Sequence, residues 1–266
     1  MLVSVIITNF NYSKYLELSI ESVINQTYKN IEIIIIDDCS SDDSINIISN
    51  YATKHNNILT HYNPQNKGVI YSRNLGIDMA SGDYICFLDA DDYWDLTKIE
   101  KQINVIKDSD ISFCDLIIID DLNNIIGTKK HKCINNSYDY STLLKYNFLA
   151  HSSIMIKKSH LSSINYKEIP NSKLGDIFFK IFSVNRLIHE DYDFLLRYFK
   201  SINPRTEYLD EELVFYRKHT HNFSNGWKKK FISVLLIFHK SLKYNLITSF
   251  FFTFRLSFYT FFRKIK

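Results

Sequence analysis

The stretch "FLDADDYW", residues 87–94, puts Asp89, Asp91 and Asp92 within four positions, directly after the apolar run "YICFL". Three carboxylates that close repel one another, so something must offset the repulsion. A solvated helix start accounts for such a cluster without any ligand. An EF-hand loop does not. Counted from Asp89, Tyr93 and Trp94 fill the fifth and sixth places, where that loop needs an oxygen ligand and a glycine. The chemical alternative is a divalent cation shared with a bound phosphate, because Mg²⁺ commonly takes one or two carboxylates plus substrate phosphates.

Two further acidic stretches raise the same choice. "IIIIDDCSSDD" sets Asp37 and Asp38 just past an apolar run. Ser41 to Asp43 suit the cap of a following helix. Asp38 lies before that cap, where a carboxylate accepts a hydrogen bond from a ligand N–H. In "HEDYDFLLR", residues 189–197, Glu190 and Asp191 suit a helix N-terminus by dipole complementarity alone. His151 in "FLAHSS" suits a structural role better than contact with an acceptor.

The elements that must position these residues alternate. Strands are predicted at 3–8, 31–37, 58–62 and 83–88. Helices are predicted at 15–26, from Ser41 to His55, at 68–80 and at about 95–107. The strands are apolar on both faces, which predicts a parallel sheet covered by helices. Ligands bind such sheets beyond the carboxyl ends of strands. Three of those ends carry polar clusters: "TNFN" (8–11), "DDCSSDD" (37–43) and "DADD" (89–92). After residue 110 the reading is a strand pair around "DLNN", strands at 152–158 and 211–219, and a helix at 189–199.

A chain of 266 residues, 45% hydrophobic, holds one α/β domain, or one domain with an appendage. Only 6 Gly and 3 Pro exclude a linker-rich or disordered protein. Cys39, Cys86, Cys114 and Cys133 stand far apart, which excludes a zinc cluster or disulfide framework and fits a reducing compartment. "MLVSVIITNF" lacks a basic leader segment and reads as a strand rather than a signal peptide. The net charge of +3 hides an asymmetry. Residues 227–266 hold nine of the 32 Lys and Arg and none of the 29 Asp and Glu, so residues 1–226 carry 23 basic against 29 acidic groups.

The four blocks together resemble the glycosyltransferases of family 2, with the GT-A fold. "SVIITNFNYSKYLELSIESVINQTYKNIEIIIIDDCSSDDS" is similar to that family's opening nucleotide-binding block, and "NKGVIYSRNLGIDMASGDYICFLDADDYW" to its second. "HEDYDFLLR" resembles its acidic catalytic motif and "YRKHTHNFS" its closing stretch. The resemblance covers roughly residues 3–224. It implies a Rossmann-like nucleotide-binding sheet flanked by helices. Thr8 and Phe10 would line the base pocket, Asp38 would accept from the uracil N3–H, and Arg73 would reach the nucleotide. Asp89 would lie near the ribose, and Asp91 would bind Mg²⁺ or Mn²⁺. Asp191 would be the general base, with Arg217 and His219 near the diphosphate or metal. Thr8 and Cys39 depart from the proline and glycine common in the family.

The expected organisation is a catalytic domain over 1–226, with a nucleotide-binding half (1–110) and an acceptor-binding half (111–226), then a basic tail over 227–266. The tail's longest charge-free stretch, Tyr244 to Phe254, is 11 residues, whereas a spanning helix needs about 20. On one helical wheel Lys229, Lys230, Lys240, Lys243 and Arg255 share a side. That fits a helix lying on an anionic membrane surface. A helix packed on the domain or on a second subunit is the alternative. Nucleic acid is disfavoured, because the residues between the charges are aliphatic as well as aromatic.

The reading is an inverting glycosyltransferase that moves sugar from a UDP-sugar to a glycan or lipid-linked glycan in bacterial surface-polysaccharide assembly. Its expected place is cytoplasmic, on the inner face of the cell membrane. Two rivals stay open. A sugar-phosphate nucleotidyltransferase would want a glycine-rich phosphate loop, which "TNFNYSKY" lacks. A non-catalytic nucleotide-sugar binding protein would keep Asp38 and Asp91 but would have no use for Asp191.

Overall fold

A computed structural model describes residues 1–131, 138–145, 147–164, 189–219 and 227–263. Cys133 and the closing "THNFS" residues, 220–224, lie outside the described residues.

Strands β1 (Val3–Asn9), β2 (Ile31–Asp37), β3 (Ile58–Tyr62) and β4 (Tyr84–Asp89) pair in parallel in the order β3–β2–β1–β4. The aliphatic side chains of β1, β2 and β4 are buried on both faces, whereas Leu59 of the edge strand β3 is exposed. On one face Val5, Ile7, Ile33, Ile35 and Leu88 pack with Leu16, Ile20 and Val23 of α1 (Ser13–Ile24) and with Ile48 of α2 (Ser44–Lys54). On the other, α3 (Val69–Met79) lies against β1 and β2. A Cβ on Gly76 of α3 would stand 2.5 Å from Ile6 Cγ2, so only glycine allows this approach.

The predicted parallel sheet is parallel across these four strands and mixed beyond them. Strand β8 (Met155–Lys157) runs antiparallel to β4 and to β6 (Ile111–Ile119). Strand β9 (Thr206–Arg217) runs parallel to β6, and the short β5 (Tyr93–Trp94) pairs with β9. Strand β7 (Ile125–Lys129) forms the expected hairpin with β6. The nine strands among the described residues form one sheet. Helix α4 (Lys98–Val105) follows β5.

One helix start differs from the sequence reading. Helix α2 begins at Ser44, and Ser41 does not cap it: the Ser41 N–H donates to Asn11 Oδ1 at 2.7 Å. Asp42 serves instead. Its two carboxylate oxygens accept the N–H groups of Ser44 (3.1 Å) and Ser13 (2.8 Å), so one side chain holds the starts of both α2 and α1.

The chain divides into two compact units. The first comprises Met1–Cys133, Leu149–Asn165 and Pro204–Lys218 and contains the sheet. The second comprises Ile134–Phe148, Tyr166–Asn203 and His219–Lys266. It carries α5 (Tyr140–Lys145), α6 (Glu190–Ile202), α7 (Trp227–Leu236) and α8 (Leu246–Arg263). Tyr192 of α6 donates its hydroxyl to the Leu143 carbonyl at 2.8 Å, and α8 packs on α7 and α5. The tail is therefore not one continuous helix. A π-turn at Ile237–Ser241 and a left-handed Lys243 (φ 59°) break it, so a wheel running from Lys229 to Arg255 does not describe it. Among the described residues, no helix is long and apolar enough to cross a membrane.

Candidate active site at the carboxyl edge of the sheet

Strands β2, β1 and β4 are neighbours, so the three polar clusters meet on one edge. Asn9 lies opposite Asp37, and Thr8 lies opposite Asp89. Asp37 fixes the turn after β2. It accepts from Asn9 Nδ2 (2.8 Å), Ser40 N–H (2.8 Å) and Ser40 Oγ (2.6 Å). That turn drives Cys39 to φ 67°, a left-handed conformation suited to glycine. Asp38 is buried and holds the loop that leads into α3. It accepts from Asn63 Nδ2 (2.8 Å), Lys67 N–H (2.8 Å) and Gly68 N–H (2.7 Å). Thr8 is half-buried beside it and Phe10 is exposed.

The repulsion within "DADD" is relieved in two ways. Arg73, buried on α3, donates from its guanidinium to Asp89 Oδ1 at 2.9 Å. Asp92 is buried, and its carboxyl is pushed far above the usual range, first by burial and then by the charges of Asp91 and Asp89. A raised pKa favours the uncharged form and so lessens the repulsion. Asp92 is fixed by the Ser152 hydroxyl at 2.7 Å and the Arg217 N–H at 2.9 Å. Ser152 also accepts the Asp89 N–H at 3.3 Å, and its carbonyl takes the Trp94 indole N–H at 2.9 Å. The ammonium of Lys98 lies 3.9 Å from the centre of the Trp94 ring. Asp91 is half-exposed on the same loop.

Arg217 braces that loop from below. Its Nε donates to the Asp91 carbonyl (2.9 Å), and its two terminal nitrogens donate to the Asp120 carbonyl (2.8 Å) and Asn123 Oδ1 (2.7 Å). The guanidinium sits 4.5 Å over the Tyr15 ring, and the Tyr15 hydroxyl donates to Asp121 at 2.7 Å. Tyr12 faces the carboxylates. Burial, then the charges of Asp91, Asp89 and Asp92, keep its phenol protonated well beyond its ordinary range. His151 is buried and stacked on Phe87 with ring centres 4.5 Å apart. Burial, then the charge of Arg73, lowers its pKa well below the ordinary value, so the imidazole is neutral and structural.

The first unit contains Thr8, Phe10, Asp38, Arg73, Asp89, Asp91 and Arg217. Asp191 and His219 belong to the second unit. Asp191 is the second residue of α6, which starts after a left-handed His189 (φ 73°), and it accepts the Tyr192 N–H at 2.8 Å. Glu190 and Asp191 are half-buried, whereas Asp193 is buried and paired with Arg197 at 2.9 Å. Sequence reasoning passed over Tyr12, Tyr15, Asn63, Asn123 and Ser152. Tyr12 and Tyr15 were within reach, because they stand within four residues after "TNFN". The other three meet the site through tertiary contacts that no local pattern signals.

Could the site hold a divalent cation? Among the described residues no group of three or more His, Cys, Asp and Glu is disposed to hold a metal ion. Asp89 and Asp91, a residue apart on one braced loop, fit a cation whose remaining ligands come from a diphosphate.

The residues from 4 to 182 match the family described as glycosyl transferase family 2, and the chain belongs to it. An uncharacterized glycosyltransferase of Haemophilus influenzae is 33% identical over 255 residues, covering 93% of this chain and 92% of that protein. The UDP-Glc:alpha-D-GlcNAc-diphosphoundecaprenol beta-1,3-glucosyltransferase WfaP of Escherichia coli is 34% identical over 172 residues, covering 63% of this chain and 65% of its own. The crystal structure of S. aureus TarS 1-349 in complex with UDP-GlcNAc superposes with a TM-score of 0.69 at 19% identity, over 94% of this chain and 69% of that one. The fold is GT-A, as the four sequence blocks implied.

Proposed function

We propose that this glycosyltransferase moves a sugar, with inversion, from a UDP-sugar to a hydroxyl of a glycan or lipid-linked glycan acceptor. The observation that carries this reading is the order within the "DADD" loop: Asp89 paired with Arg73, Asp92 buried and hydrogen-bonded to Ser152 and Arg217, and Asp91 half-exposed on a braced edge. The activity for which the E. coli relative is named supports a UDP-sugar donor and a lipid diphosphate acceptor. The same reading puts the enzyme at the cytoplasmic face of a membrane, in surface-polysaccharide assembly.

Asp38 takes the base N–H in this reading. Its Oδ2 accepts a single N–H, from Gly68, among the described residues and so retains acceptor capacity. Thr8 and Phe10 flank the base, and Arg73 and Asp89 contact the nucleotide as a pair. Asp91 would hold Mg²⁺ or Mn²⁺, which when bound would neutralise charge on the departing UDP. Arg217, expected beside the diphosphate, is assigned instead to holding Asp91 in place. Asp191 removes the acceptor proton.

The test is UDP release from a panel of UDP-sugars. EDTA is expected to abolish release and Mn²⁺ or Mg²⁺ to restore it, with Asp91→Ala inactive in both. Normal metal-dependent turnover by Asp91→Ala refutes the assignment. Release that needs no metal removes the cation from the account.

A further inference from the structure

Helix α8 wears its polar and apolar faces the wrong way round for a helix that meets water. Ser249, Thr253 and Leu256 face inward and are buried. Their two hydroxyls are used within the helix: Ser249 Oγ donates to the Asn245 carbonyl at 2.8 Å, and Thr253 Oγ1 to the Ser249 carbonyl at 2.7 Å. Ile247, Phe250, Phe251 and Phe254 face outward, exposed by 84%, 38%, 62% and 67%. They recur at i, i+3, i+4 and i+7, which makes one stripe along the helix. A helix that borders solvent puts its apolar stripe inward and its polar residues outward. A contiguous exposed apolar stripe marks a surface made for a partner.

The charge around the stripe selects that partner. Lys243 is exposed just ahead of the helix, and Arg255 is half-buried one residue past the stripe's last Phe. Residues 227–266 hold nine Lys or Arg and no Asp or Glu. A second copy of the chain would set one cationic surface against another, which is repulsive. An anionic bilayer is complementary to the cations, and its headgroup–acyl boundary accepts Phe and Ile side chains to a depth of about 5–10 Å.

We propose that the Ile247, Phe250, Phe251 and Phe254 stripe of α8 seats in the interfacial layer of an anionic lipid membrane, with Lys243 and Arg255 beside the headgroups. The helix lies in the plane of the membrane. The contact is made by the apolar face, and the cations strengthen it and select the lipid. This inference does not depend on the chemistry proposed above.

The experiment is flotation of the full chain with vesicles of phosphatidylcholine alone or mixed with phosphatidylglycerol. The wild type is expected to float with the anionic vesicles, less so at high salt. Phe251→Ser with Phe254→Ser removes two exposed rings and is expected to weaken binding by about tenfold or more. Its circular dichroism and its hydrolysis of UDP-sugar should be unchanged. Lys243→Gln with Arg255→Gln should lose only the preference for anionic vesicles. The proposal is overturned if the Phe double variant floats like the wild type. It is equally overturned if the wild type ignores both vesicles, whether it sediments as a monomer or as a dimer that the Phe double variant dissociates.

Discussion

Replacing Arg217 by lysine keeps the charge and removes the fork. The guanidinium donates three hydrogen bonds of 2.7 to 2.9 Å to Asp91, Asp120 and Asn123, and stacks over Tyr15. A lysine ammonium in the same place reaches one of those acceptors. Each charge-assisted bond contributes about 1.5–3 kcal/mol, and the acceptors are only partly buried, so two losses at the low end cost about 3 kcal/mol. The lost stacking adds about 0.5–1 kcal/mol. A destabilisation of about 3–4 kcal/mol lowers the Tm of a chain this size by roughly 10 °C. Thermal and urea unfolding measure it. A double-mutant cycle with Asn123→Gly isolates one bond, because Asn123 sits at φ 66°, where glycine introduces no strain. The coupling should be about 1 kcal/mol or more. If Arg217→Lys melts within a degree or two of wild type and only raises the KM for the donor, Arg217 touches the ligand and does not brace the loop.

Two other perturbations test how the edge is built. Gly76→Ala drives a Cβ to 2.5 Å from Ile6 Cγ2, so α3 must lift from β1 at a cost of about 1–3 kcal/mol. Urea unfolding should show that cost, and unchanged stability would mean that α3 sits less tightly than described. His151 has a folded pKa far below the ordinary value, so under mild acid the unfolded chain takes up a proton there that the folded chain does not. Its contribution is fully present above about pH 6.5 and is lost as pH falls, at about 1.4 kcal/mol per unit. Between pH 7 and 5.5 the wild type should therefore lose about 1.3 kcal/mol more than His151→Gln; parallel losses would show that the imidazole titrates freely.

The first half of the chain was legible because local pattern and tertiary role agree there. "IEIIIID" and "ILTHY" match strands β2 and β3 residue for residue, the first because a run apolar on both faces suits a strand buried on both sides, the second because its β-branched and aromatic residues suit a short edge strand. The acidic clusters were placed on the right edge for the same reason: each follows directly on such a run. Ser41 was misread because the cap is decided by which carboxylate can reach two helix starts, and the partner start at Ser13 is remote in sequence. The second half was legible only element by element. That β8 inserts between β4 and β6, or that β9 runs parallel to β6, depends on pairings across dozens of residues. The hydrogen bonds of Arg217 to the Asp91 and Asp120 carbonyls and to Asn123 Oδ1 join loops remote in sequence, which no local pattern displays. The tail's charge count was plain, but the break at Ile237–Ser241 and Lys243 has no Gly or Pro to announce it.

The most direct test of the account compares transfer with donor binding in Asp191→Asn. The substitution is nearly isosteric and leaves the sheet edge untouched, but an amide cannot take the acceptor's proton at neutral pH. The account predicts UDP-sugar affinity within a few-fold of wild type and transfer slowed by about 10²-fold or more. Near-normal transfer by Asp191→Asn, with Glu190→Gln inactive, would move the base to Glu190. Near-normal transfer by both variants would contradict the account and leave "HEDYDFLLR" as nothing more than the start of a helix.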